Sequence, residues 1–290
     1  MDRAAAQSPA IPLRGVRAVL FDVGNTLSHL DYGFLAERIR RFAPGVTPDG
    51  VGRADALVRR YGWEPGPGAP VRRTGFFPAY VGAICEWAGL SETAGLQVAA
   101  AAEWEHRARP SGLWNRVDPE AAAVLGALAE RGVRLGVVSN ADGRVEDQLR
   151  LFGLREHFEV VVDSDRAGVA KPDPRIFHLA LAQMGLPPDE AVYVGDIMDV
   201  DVDGAERAGM RGVLYDRWSV WTDTGTPRVT RLGHLVGILG TRDGADHPLT
   251  GTARPGRERT RCLKRAAASR LVLRQRRNER QSTAFVRRSG

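Results

Sequence analysis

Four short stretches carry the residues whose types and spacing could do chemistry. Asp22 ends an apolar run and enters a polar turn in Phe21-Asp22-Val23-Gly24-Asn25-Thr26-Leu27. Ser139 and Asn140 close a second apolar run, Val137-Val138. Lys171-Pro172-Asp173-Pro174 sets a lysine just before a helix start, and Gly195-Asp196 is followed by Asp199, Asp201 and Asp203. Taken singly, each has an ordinary explanation: a helix N-cap, a turn hydroxyl, a solvated lysine, an acidic turn. Taken as one site, they make a reaction. Crowded carboxylates raise one another's pKa, so Asp22 and Asp196 would stay ionised only beside Lys171 and a hard dication. Mg²⁺ favours one or two carboxylates with waters and phosphate oxygens. Asp22 could then attack phosphorus as a covalent nucleophile, with the metal and Lys171 on the equatorial oxygens. Ser139 and neighbouring backbone N–H groups would hold another phosphate oxygen.

Such a site needs elements that bring distant residues together. Short apolar runs alternate with amphipathic ones, the pattern of a parallel sheet covered by helices. The pattern predicts strands at Arg17–Phe21, Arg134–Ser139, Glu159–Val162, Ala191–Gly195 and Gly212–Tyr215, with helices at Pro119–Arg131, Arg144–Phe152, Pro174–Met184 and Val202–Ala208. Pro119 and Pro174 suit first-turn positions, and Gly132, Gly153, Gly185 and Gly209 suit helix stops. All four stretches fall at strand exits or helix entries, and ligands of open parallel sheets gather at the carboxyl ends of strands. More than 100 residues separate the first two strands. That segment reads as helices only, at Phe34–Phe42, Val51–Tyr61, Phe76–Ala88 and Thr93–Arg107, broken by an irregular loop at Gly62–Pro70. The expected organisation is an α/β fold: a Rossmann-like parallel-sheet core (1–30 and 115–240), an inserted α-helical cap domain (31–114) and a basic tail (241–290).

In order and wording, the four stretches are similar to the motifs of the haloacid dehalogenase (HAD) superfamily, over about residues 16–240, and the insert resembles its type-one helical cap. The resemblance implies a hydrolase in which Asp22 is the nucleophile, Ser139, Asn140 and Lys171 hold the phosphoryl group, and Asp196 binds Mg²⁺ together with Asp22, the backbone carbonyl of Gly24 and Asp201. The implied substrate is a small phosphorylated metabolite, and the cap would shape its pocket. One position departs from the pattern. Phosphatases of this family usually carry a second Asp, a general acid, two residues after the nucleophile, where this chain has Gly24. Loss of general acid catalysis costs about 10²–10⁴ in rate. Three readings follow: a good leaving group such as an acyl phosphate, a proton from His29, Asp31 or a cap residue, or a weakened HAD fold retained for binding. Family members cleaving C–P or C–halogen bonds also lack that Asp. The halide branch resembles the chain less, because it lacks the Gly-Asp of the fourth motif.

Composition sets the remaining bounds. The net charge of +6 misleads, because residues 241–290 hold 14 Lys/Arg against 4 Asp/Glu while residues 1–240 hold 27 against 31. The tail has little aromatic interleaving (Phe285 only), so a terminal extension is favoured over a nucleic-acid partner. No run approaches the roughly 18 apolar residues that span a bilayer, and no secretion signal is evident. The two cysteines, Cys85 and Cys262, are no disulfide framework. These features point to a soluble, cytoplasmic enzyme without a membrane partner. Of the tryptophans in or beside the cap, Trp63, Trp87, Trp104 and Trp114, packing of the cap core is the favoured role over lining a pocket.

Overall fold

The computed structural model describes residues 15–61, 76–221 and 224–239. All of these residues belong to one compact unit. The loop Gly62–Pro70, Trp63, Cys262 and the tail 241–290 lie outside the described residues.

The main sheet has six parallel strands: β1 (Ala18–Phe21), β4 (Arg134–Ser139), β5 (Val160–Asp163), β6 (Ala191–Gly195), β7 (Arg211–Tyr215) and β8 (Arg228–Val229), in the order β5-β4-β1-β6-β7-β8. Two short strands, β2 (Ser28–His29) and β3 (Arg116–Val117), pair antiparallel. The strands that cover β1 are almost wholly apolar, as sheets buried on both faces require. Alternate residues serve opposite faces. Val19 and Phe21 pack with Leu125, Leu149 and Leu235, while Ala18 and Leu20 pack with Phe177, Leu181 and Met184.

Helices between β1 and β4 are α1 (Tyr32–Ile39), α2 (Pro48–Tyr61), α3 (Phe76–Trp87) and α4 (Glu92–Ala108). They share their own hydrophobic cluster, including Leu35, Val51, Val58, Ile84 and Val98, and form the inserted cap. The core helices are α5 (Ala121–Glu130), α6 (Val145–Leu151), α7 (Ser164–Ala167), α8 (Pro174–Met184), α9 (Asp203–Arg207) and α10 (Gly233–Ile238). The sequence pattern places α8 to the residue, because all its signals are local. The Asp173 side chain accepts from the Arg175 N–H as N-cap, Pro174 opens the first turn, and Gly185 ends the helix at φ 61°. Five elements escaped the pattern: β2, β3 and β8 are two residues each, α7 is four residues long, and α10 lies near the end of the described chain.

Two expected features come out differently. The helix expected at Val202–Ala208 is preceded by a π-turn over Met198–Val202, a wide winding that returns the Asp201 side chain to the start of its own loop. Trp87 and Trp104 do not pack the cap core. They lie on outward helix faces, 40% and 70% exposed, so only Trp114 of the described three packs inward, against Phe77 and Tyr80.

The cap meets the core tightly at Gly52 of α2. A Cβ there would lie 2.2 Å from the Trp218 ring, which belongs to the segment after β7. Alanine for glycine inside a helix ordinarily stabilises by about 1 kcal/mol, whereas forced overpacking costs about 1–3 kcal/mol. Gly52→Ala is therefore expected to lower the melting temperature, and adding Trp218→Ala should recover part of the loss. A rise in melting temperature for Gly52→Ala alone would show that this contact does not form.

Candidate active site

β1 lies between β4 and β6, so the exits of three neighbouring strands open side by side. Asp22 follows β1, and its N–H donates to the Val194 carbonyl at 2.9 Å. Ser139 is the last residue of β4, and its hydroxyl donates to Asp22 Oδ1 at 2.8 Å. Lys171 arrives from the loop before α8. Its ammonium donates to Asp22 Oδ1 at 2.8 Å, Asp201 Oδ1 at 2.7 Å and the Tyr193 hydroxyl at 2.8 Å, which uses all three of its donors. Tyr193 in turn donates to the Val138 carbonyl at 2.6 Å. Asp201 Oδ2 accepts from the N–H groups of Asp196 (3.0 Å) and Ile197 (2.8 Å). That approach needs Gly195, where a Cβ would sit 2.4 Å from the Asp201 carboxyl carbon. The structure thus gathers Asp22, Ser139, Lys171, Asp196 and Asp201 in one place.

Asn140 is adjacent but faces another way. Its amide donates to the Lys171 carbonyl at 2.9 Å and accepts from the Lys171 N–H at 2.8 Å. This reciprocal pair ties the lysine loop to the end of β4, so the side chain of Asn140 positions Lys171.

Burial governs the electrostatics. It pushes Asp22 above its ordinary value against the opposing pull of Lys171, and pushes Asp196 up to about 8 against that of Arg59. Burial alone would lower Lys171, but Asp201 and Asp22 outweigh it and raise its pKa. Oxygens of Asp22, Asp196 and Asp201 lie within 4.8 Å of one another. Four buried carboxylates (Asp22, Asp55, Asp196, Asp201) face two buried cations, Lys171 and Arg59. The difference equals the charge of one divalent ion, and an all-carboxylate donor set suits a hard cation. The residues fit such a metal.

Arg59, Asp55 and Tyr193 are the residues the sequence reading missed. Arg59 comes from α2 and places Nη1 2.5 Å from Asp196 Oδ2 and Nη2 3.2 Å from Asp55 Oδ2. Asp55 also accepts from the Tyr32 hydroxyl at 2.8 Å and from Tyr80. A signal was present. Val51, Ala54, Asp55 and Val58 follow the i, i+3, i+4, i+7 spacing of a buried stripe, so Asp55 is a carboxylate where apolar packing is due, four residues before an arginine. Tyr193 gives no such sign, since an aromatic in a buried strand is ordinary.

The residues considered as alternative proton donors are engaged elsewhere. His29 Nε2 lies 2.9 Å from Asp118 Oδ2, where β2 meets β3. Asp31 caps α1 through the Phe34 N–H at 3.0 Å and pairs with Arg116 at 2.9 Å. Both sit at the joint between core and cap. Around Gly24, a Cβ would lie 3.5 Å from the Trp114 indole. That is ordinary contact for a methyl group, but a carboxyl group reaching further would have to share its space with the ring.

Removing the buried cation gives a test of this arrangement. Lys171→Met would leave Asp22 and Asp201 buried without their partner, a change that costs about 3–5 kcal/mol in such pairs. Asp22, already pushed above its ordinary value by burial, would then titrate higher still in the folded variant. The folded variant would bind more protons, and its stability would fall as pH rises. The melting-temperature deficit of the variant is thus expected to be larger at pH 7 than at pH 5. A deficit that does not change with pH would contradict the pairing.

Comparison with known proteins gives the family. The sequence model for haloacid dehalogenase-like hydrolases matches residues 16–209. The phosphoserine phosphatase of Thermus thermophilus is 35% identical over 213 residues, 69% of this chain and 82% of that protein. The haloacid dehalogenase-like hydrolase domain-containing protein 3 of Bos taurus is 47% identical over 94 residues, 32% of this chain and only 38% of that protein. The glyceraldehyde 3-phosphate phosphatase of Methanopyrus kandleri is 45% identical over 101 residues, 34% of this chain and 43% of that protein. Among solved structures, a HAD phosphatase from Thermococcus onnurineus aligns with a TM-score of 0.51 at 26% identity, covering 79% of this chain and 100% of that one. A match across residues 16–209, over a parallel sheet whose strand exits hold the family's motif residues, means that the chain belongs to the haloacid dehalogenase-like hydrolases.

Proposed function

We propose that the chain is a magnesium-dependent phosphatase acting on a small phosphorylated metabolite through a phospho-Asp22 intermediate. The observation that carries this reading is the hold on Asp22. Ser139 and Lys171 both donate to Oδ1, which fixes the carboxylate and leaves Oδ2 for attack. The relatives named as phosphatases of phosphoserine and glyceraldehyde 3-phosphate support phosphorus chemistry, as does an intact Gly195-Asp196. Bound magnesium would neutralise phosphoryl oxygens and keep Asp22 and Asp196 ionised, with the carbonyl of Gly24 and the side chain of Asp201 completing the set. In the first step the Asp22–phosphorus bond forms and the bond to the leaving oxygen breaks. In the second, water attacks phosphorus, releases phosphate and restores Asp22. With substrate bound, Lys171 and Ser139 would each turn a donor from Asp22 Oδ1 to a phosphoryl oxygen.

Gly24 supplies no acid, and Trp114 packs beside the place an acid would project. The favoured substrates therefore leave without much protonation, as acyl or aryl phosphates do. We read 1–30 with 115–240 as the catalytic core and 31–114 as the cap that closes over it. Cys85 is a free buried thiol, and no helix of the described residues is long and apolar enough to cross a membrane. We place the enzyme in the cytoplasm.

An aryl phosphate assay with magnesium and with chelator tests this reading. Turnover should require the metal. Asp22→Asn should lower it by on the order of 10⁴ or more with the fold intact by circular dichroism, and Asp196→Ala should shift the magnesium titration to higher concentration. Undiminished activity in Asp22→Asn would remove the covalent mechanism. Metal-independent wild-type turnover would remove the cofactor.

A further inference from the structure

We propose that Trp114 is a further catalytic residue: its indole N–H donates a hydrogen bond to the oxygen that leaves phosphorus, in the space beside Gly24. The assignment rests on the phospho-Asp22 reading above and adds how that site expels its leaving group.

The place beside Gly24 has a donor and no acid. Gly24 lies two residues past Asp22 and carries no side chain. A Cβ there would stand 3.5 Å from both Nε1 and Cδ1 of Trp114, with Cγ further off at 3.9 Å. The indole therefore turns its N–H edge, and not its benzo ring, toward the loop that holds the nucleophile. Among the described residues Nε1 of Trp114 has no hydrogen-bond partner, and it is not sealed in as the unpaired Nε1 of Trp218 is. The donor is open, on a half-buried ring.

Its neighbours aim that ring. Phe77 and His106 meet it edge to face, at centroid distances of 5.5 and 5.7 Å, and Tyr80 lies 6.0 Å away. The preceding backbone is fixed as well. Leu113 donates its N–H to His106 Nδ1 at 3.0 Å, and its carbonyl accepts from the Asp31 N–H at 2.8 Å. Packing accounts for the ring, but it gives no reason for an open N–H at the nucleophile's loop.

The other polar groups nearby are engaged. Ser139 and Lys171 serve Asp22, His29 is bound to Asp118, and Asp31 caps α1. An indole N–H is a donor only, and far too weak an acid to give its proton away. The electron pair of the breaking phosphorus–oxygen bond thus leaves with the oxygen. The departing anion is held by Nε1–H, and water supplies its proton after release. A fixed donor at the atom where charge develops favours the transition state over the bound substrate. Its benefit grows with the basicity of the leaving oxygen.

The test is single-turnover release of the phenol from phenyl phosphate and from p-nitrophenyl phosphate, with magnesium, in wild type and Trp114→Phe. The variant keeps an aromatic ring against Phe77 and Tyr80 and removes the donor. It should lose at least about fivefold more rate on phenyl phosphate, whose leaving oxygen is the more basic. Equal losses on the two esters, the mark of a ring that only packs, would overturn the assignment. A second measurement keeps Trp114 in place and serves if the variant does not fold. In the Asp22→Asn protein with magnesium, phenyl phosphate should move the Trp114 indole proton downfield in the NMR spectrum. Benzylphosphonate, in which a methylene replaces the leaving oxygen, should not. A resonance that ignores saturating phenyl phosphate, or moves equally with both ligands, would also overturn it. The two readings fail separately. Metal-dependent turnover with parallel losses would sink only the role of Trp114. A wild type that releases no phenol, with an indole that still answers to phenyl phosphate, would sink the hydrolase reading alone.

Discussion

The site depends on a lysine ammonium buried among three oxygens. Asp22 and Asp201 are both out of water, and two carboxylates so placed could not remain charged beside each other without a cation between them. Lys171 supplies it, with Tyr193 taking the third donor. Buried ion pairs are weak contributors to stability, because desolvation offsets much of the attraction. The arrangement is better understood as the means of holding the Asp22 carboxylate in one orientation, as the proposed mechanism requires. Much of the local architecture serves this purpose. Asn140 clamps the lysine backbone, Gly195 makes room for Asp201, and the π-turn at Met198–Val202 brings Asp201 back to the end of β6.

Core and cap contribute different kinds of chemistry. Core residues stand at the ends of strands buried on both faces, so their positions are fixed by the most densely packed part of the molecule. The cap has its own hydrophobic cluster and reaches the site through Arg59. The proposed reaction thus sits at the sheet, while the helical layer packs on a cluster of its own. The joint between them is short and polar, with His29, Asp118 and Tyr215 sharing hydrogen bonds at the base of the β2–β3 pair. Those buried groups hold the joint.

Legibility in the sequence followed the locality of the forces. Strands β4 and β6 are readable to the residue because a run of buried aliphatic residues is its own signal, and α8 because cap, proline and glycine are all local. Asp22, Ser139 and Lys171 were readable as a group for the same reason: each sits where one element type changes to another. Arg59 was not, since its partner Asp196 is on another layer and its helix reads as an ordinary amphipathic one. Tyr193 looks like core packing until the ammonium of Lys171 is placed against its hydroxyl. The outward tryptophans of the cap erred in the opposite sense, because hydrophobicity alone does not say which helix face a neighbour will cover. Gly24 was visible as a departure, but only the structure puts Trp114 beside it.

The most direct measurement is an acid-quenched single turnover of an aryl phosphate, followed by mass spectrometry of the proteolysed protein. One phosphoryl group on the peptide containing Asp22, formed and lost at rates that match turnover, is the expected result. Release of phosphate with that peptide unmodified, or with the phosphoryl group on another residue, would contradict the mechanism at its centre.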